Sequence, residues 1–146
     1  MAQPPAQSRE GEIDREVCKL VQQFTQRLDV HMRRVADELG MTAPQVLALR
    51  ELSEPITARE LAARMYCEPS NATFVLDRLE QQDLIKRRPH PTDRRAKQIV
   101  LTAAGRRRRA SVLKHLSTQS PLAPLTPAQQ EALRDLLQTL SARPSA

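Results

Sequence analysis

The side chains best suited to chemistry in this 146-residue chain fall in two short stretches. The first is PSNATFVLDR (69–78), with Ser70, Asn71, Thr73, Phe74 and Arg78. The second runs from Lys86 to Lys97 and carries Arg88, then Asp93, Arg94 and Arg95 in HPTDRRA (90–96). Hydroxyls, an amide and guanidiniums at these spacings donate and accept hydrogen bonds and meet anions. They are not arranged to make or break bonds. With three glycines there is no phosphate-cradling loop, and neither an HExxH motif nor a nucleophile elbow occurs. His31, His90 and His115 are scattered, with no metal-ligand spacing. No enzyme activity, cofactor or metal is expected.

Charge points to the partner. The chain carries +6, but residues 84–109 hold ten Lys or Arg against Asp93 alone, a net +9, so the remainder sums to −3. A basic block of this kind favours a polyanion. Cys18 and Cys67 are too far apart in sequence for a disulfide framework. No apolar leader begins the chain and no apolar run of about 18 residues occurs, so a cytoplasmic location without membrane association is expected.

Elements must position these groups. Residues 1–10 are polar and Pro-rich and read as a disordered tail. From Glu12 to about Glu38, Ile13, Val17, Leu20, Phe24, Leu28, Met32 and Val35 recur at helical spacing. A helix of that length, about 40 Å, overshoots one small domain. Gly40 ends it, Thr42 caps the next helix, and Pro55 closes that one. Thr57-Ala-Arg-Glu60 has capping-box form, with Thr57 accepting from the Glu60 amide and Glu60 reaching back. Pro69 opens a helix whose Ala72, Val75, Leu76 and Leu79 face inward. Its opposite face shows Ser70, Asn71, Thr73, Phe74, Asp77 and Arg78. Leu84–Arg88 and Lys97–Thr102 form a hairpin around the loop Pro89–Ala96, with Ile99 and Leu101 facing the core. Thr102 caps a helix to about Thr118, striped by Ala110, Leu113 and Leu116. After the linker SPLAPL (120–125), Thr126-Pro-Ala-Gln129 opens a last helix, striped by Leu133, Leu136, Leu137 and Leu140.

Two short helices, the second with a polar outer face, followed by a basic hairpin, describe a mainly α winged helix-turn-helix. Its second helix suits the major groove, where Ser, Asn and Thr reach base edges and Phe74 meets a thymine methyl. An arginine at the hairpin tip suits the narrow minor groove. Asp93 is expected to fix that loop and orient the arginine by a charge-assisted hydrogen bond. The domains are then 1–10 as tail, 41–102 as winged helix-turn-helix, and 11–40 with 103–143 as helices that pair two copies.

These features resemble the multiple antibiotic resistance regulator (MarR) family. The resemblance rests on TARELAARMYCEPSNATFVLDRLEQQDLI (57–85), HPTDRRAKQIVLTAAGR (90–106), and the order of long first helix, winged domain and two closing helices. It covers roughly residues 12–142. It implies a homodimer that represses genes from palindromic double-stranded DNA. It also implies a small-molecule effector between the dimer and DNA-binding regions, and in some members oxidant sensing by cysteine. Carried over, Ser70, Asn71, Thr73 and Phe74 match the base-reading surface, and Arg94 and Arg95 match the wing tip. Arg95 is favoured for the minor groove because Asp93-x-Arg95 is the family spacing. Phe74 departs from the polar, basic or small residue that many relatives carry.

Blander readings compete. A sequence-indifferent architectural DNA binder needs only phosphate contacts. Arg106–Arg109 point all round a helix, so at most two share a surface. One of Lys86, Arg87 and Arg88 is expected to lean away from DNA. Cys18 is expected in the core. Cys67, just before a helix start, is a candidate redox thiol.

Overall fold

The structure, a computed structural model, describes residues 6–142, with side chains from Arg9 onward. Its elements are α1 (Ala6–Leu39), α2 (Ala43–Glu51), β1 (Ile56–Thr57), α3 (Ala58–Arg64), α4 (Pro69–Gln81), β2 (Ile85–Pro89), β3 (Lys97–Leu101), α5 (Ala103–Ser117) and α6 (Pro127–Ser141). The strands form an antiparallel sheet in the order β1-β3-β2. β2 and β3 are the expected hairpin, with Arg87 opposite Ile99 and Pro89 opposite Lys97. The hairpin reading missed β1, which pairs Ile56 with Ile99 and Thr57 with Gln98. Two residues carry no readable alternation, so periodicity could not reveal that strand.

Helix starts follow their caps. Thr42 and Thr126 each form a reciprocal capping box, with Gln45 and Gln129. Thr57 accepts from the Glu60 amide at 3.1 Å, as expected, but Glu60 does not reach back, so this box is half formed. Gly40 ends α1 at φ +64°, the left-handed conformation glycine adopts without strain. α1 begins at Ala6, which corrects the tail of residues 1–10. Pro5 is the last helix breaker, and Ala6, Gln7, Arg9 and Glu10 favour helix. Residues 1–5 lie outside the described residues.

The core gathers Val46, Leu49, Leu61, Leu76, Leu79, Ile85, Ile99 and Val112, all at most 1% exposed. Each such side chain contributes roughly 1.5–3 kcal/mol by leaving water. Ile99 sits in that core, while Leu101 is half-buried, as are Gln98 and Val100. The α5 face differs from the predicted stripe: Gly105 and Val112 are buried, and Ala110 is exposed. Two arginines of the basic run explain the shift. Arg108 donates to the Leu39 carbonyl at the end of α1. Arg109 donates to the carbonyls of Leu49 and Arg50 at the end of α2, at 3.0 and 3.1 Å. Both supply donors to carbonyls in the last turn of a helix, where the helix's own amides run out.

α1 is buried only near its end, at His31, Val35 and Ala36. His31 Nε2 donates to the Leu116 carbonyl at 2.8 Å, and its Nδ1 accepts from Arg34. Further up the helix Ile13, Val17, Leu20, Val21 and Leu28 are exposed, as are Leu136, Leu137 and Leu140 of α6. Cys18 lies in that uncovered part of α1 and is exposed, not in the core as expected. A buried cysteine needs a neighbouring element, and no element among the described residues covers this stretch.

Candidate nucleic-acid interface

The interface is built on α4. Glu68 stands at its N-cap without a side-chain cap, and Pro69 presets the first turn. Ala72, Val75, Leu76 and Leu79 anchor the inner face, at 8% exposure or less. That anchoring turns Ser70, Asn71, Thr73, Phe74, Asp77 and Arg78 outward, and all six are exposed, as the sequence predicted. Thr73 Oγ1 donates to the Pro69 carbonyl at 3.0 Å, which leaves its lone pairs to accept from a base amino group. Phe74 is 64% exposed. The Arg78 guanidinium lies 5.5 Å from the centre of the Phe74 ring, a cation–π contact.

The wing is tied to this helix by one residue. Arg87 of β2 donates to Asp77 Oδ1 at 2.8 Å and to Glu80 Oε1 at 2.9 Å. Of the Lys86–Arg88 run it is the half-buried cation, turned onto the acids of α4. Asp77 and Glu80 are the only carboxylates on α4, so this fork neutralises both charges that would repel phosphate. Sequence reasoning did not give Arg87 this role. A strand residue reaching two helix acids seven and ten positions back leaves no linear signal.

At the tip, the Asp93 carboxylate accepts from the Arg95 backbone amide at 3.0 Å. His90 Nδ1 accepts from the amides of Thr92 and Asp93 at 3.2 and 3.1 Å. Asp93 therefore fixes the loop, as expected, but through the backbone and not by pairing with a guanidinium. Its position two residues before Arg95 makes that turn the local bond. Arg94 and Arg95 are exposed, and the ion pairs among the described residues involve neither. Arg88 is also exposed, with its Nε donating to Gln98 at 3.2 Å.

A cleft of about 600 Å³ opens between α1, α2 and the start of α4. Met32, Leu47, Met65 and Phe74 line it, together with Cys67 and Asn71. Cys67 is half-buried there. Tyr66, which the sequence did not single out, is 94% exposed in the turn before α4 at φ +52°. No helix among the described residues is long and apolar enough to cross a membrane.

Comparison with known proteins agrees with this geometry. The sequence model of the MarR family matches residues 41–97. The chain is 30% identical over 95 residues to the organic hydroperoxide resistance transcriptional regulator of Bacillus subtilis, covering 64% of this chain and 65% of that protein. It is 31% identical over 108 residues to the HTH-type transcriptional regulator YfiV of the same organism, covering 71% and 68%. The crystal structure of an Escherichia coli MarR variant with operator DNA superposes with a TM-score of 0.70 at 23% identity, over 87% of this chain and 94% of that one. The expected winged helix-turn-helix fold is thus seen in a solved structure, and this chain belongs to the MarR family.

Proposed function

We propose that two copies of this chain bind a palindromic double-stranded DNA site in a sequence-specific way and repress transcription from it, in the cytoplasm. One observation carries the reading. α4 presents five exposed groups able to contact base edges, and the wing neutralises its two carboxylates through Arg87. The names of the relatives, transcriptional regulators and not enzymes, support it. The uncovered apolar faces of α1 and α6 support pairing, because water-exposed leucines at helical spacing are stabilised by a second surface. A dimer sets two α4 helices about one DNA turn apart.

The cleft beside Asn71 and Phe74 suits a small apolar effector. Such a ligand changes DNA affinity only by its preference for one spacing of the two α4 helices. Cys67, in the same cleft, is the thiol an oxidant would reach there.

Selection of bound duplexes from a random pool tests the reading. A sequence-specific regulator enriches a palindrome and binds it more than about 10³-fold tighter than random duplex. A ratio below about 10 makes the chain a sequence-indifferent architectural binder instead.

A further inference from the structure

The Phe74–Arg78 pair goes further than exposure alone. An exposed phenyl ring gains nothing from water, and here it sits at the middle of the outward face of α4. Arg78, one turn on, is held over that ring at 5.5 Å. No acid competes for it: Asp77 and Glu80 are both engaged by Arg87, and no ion pair among the described residues includes Arg78. No hydrogen bond or ion pair among the described residues uses the Arg78 guanidinium, so its N–H donors stay free, two of them parallel.

We infer that Phe74 and Arg78 read, as one unit, a thymine adjacent to a guanine in the major groove. The inference rests on the DNA-binding reading above and specifies which bases this part of the helix recognises. The ring covers the thymine C5 methyl, the apolar group a base offers there. The guanidinium, kept extended against the ring, donates to guanine O6 and N7, the pair of acceptors matched to its fork. Residues four apart on a helix are about 6 Å apart. Bases on one strand are separated by about 3.4 Å, so side chains that converge from neighbouring turns, as Arg78 does over Phe74, meet neighbouring bases. A cytosine methylated at C5 carries the same methyl group and fits the same contact.

The test uses the full chain and duplexes selected from a random pool. The enriched site contains a thymine–guanine step in each half. Replacing that thymine by uracil removes only the methyl and weakens wild-type binding about fourfold per half-site, the factor for one buried methyl group. Replacing it by 5-methylcytosine, with guanine opposite, keeps the affinity within twofold of the thymine site. Replacing the guanine by 7-deazaguanine removes one acceptor and weakens binding about tenfold. Phe74→Ala abolishes the uracil effect, and Arg78→Ala abolishes the 7-deazaguanine effect. Both residues are exposed, so helix content and unfolding midpoint stay those of wild type. A strongly enriched site that tolerates uracil and 7-deazaguanine overturns this inference and leaves the DNA-binding reading standing. A pool with no enrichment overturns both.

Discussion

Arg109 of α5 donates from Nε to the carbonyl of Leu49 across 3.0 Å, bridging the first closing helix to the end of α2. Its Nη2 donates to the next carbonyl, Arg50, so one side chain supplies donors to two carbonyls in the last turn of α2. Arg108 does the same at Leu39 of α1. Arg108 thus ties α5 to α1 and Arg109 ties α5 to α2, so half of the four-arginine run is committed within the chain.

Arg109→Met keeps the aliphatic stem and removes the donors. The loss of stability is about 1 kcal/mol, because the Arg50 carbonyl loses its donor while Leu49 keeps the Leu52 amide. Urea unfolding measures it as a lower midpoint with unchanged slope. An unchanged midpoint contradicts the staple.

Gly105 admits no side chain. A Cβ there would lie 1.9 Å from the Leu84 carbonyl oxygen, which is backbone and cannot swing aside. The same junction holds Thr102, whose Oγ1 donates to Asp83 O at 2.6 Å and accepts from the Gly105 amide at 3.0 Å. Gly105→Ala costs about 3 kcal/mol or more by overpacking. Thermal unfolding reads it as a fall of several degrees, and a melting point equal to wild type contradicts the close approach.

Arg87→Gln leaves Asp77 and Glu80 uncompensated on the face turned to DNA. Binding weakens by about fivefold on selected and random duplexes alike, roughly 1 kcal/mol for charges this exposed. Adding Asp77→Asn and Glu80→Gln to the same chain restores affinity. Fluorescence anisotropy titrations separate this from a wing defect, because restoration does not occur if Arg87 itself contacts phosphate.

Leu136→Glu with Leu140→Glu places charges on two residues exposed by 64% and 74% in the single chain. If α6 meets a second copy, sedimentation shows monomers at micromolar concentration for the variant and dimers for wild type. Circular dichroism of the two is the same at low temperature. A dimeric variant, or a monomeric wild type, removes α6 from the interface.

The sequence made much of this legible because the signals are local. Thr42, Gly40, Pro69 and Thr126 mark helix ends within a turn of where they occur, and the outward face of α4 follows from four inward apolar residues. What escaped it is nonlocal. β1 exists only because β3 lies beside it. Cys18 is exposed because burial depends on what packs above it, not on residue type. Arg87, Arg108 and Arg109 look alike as basic residues, and only the fold shows that each is committed to a partner within the chain. Asp93 was rightly placed as the loop's brace, with the wrong donor.

Dimethyl sulfate probing of a selected duplex reports which groove each part of the protein occupies. The reagent methylates guanine N7 in the major groove and adenine N3 in the minor groove. Two α4 helices docked side by side protect guanines in two major-groove patches about one turn apart. The wing tips protect adenines in the flanking minor grooves, and Arg95→Ala loses that protection while the guanine protection remains. Protection confined to the minor groove, or none at either groove under saturating protein, contradicts this docking.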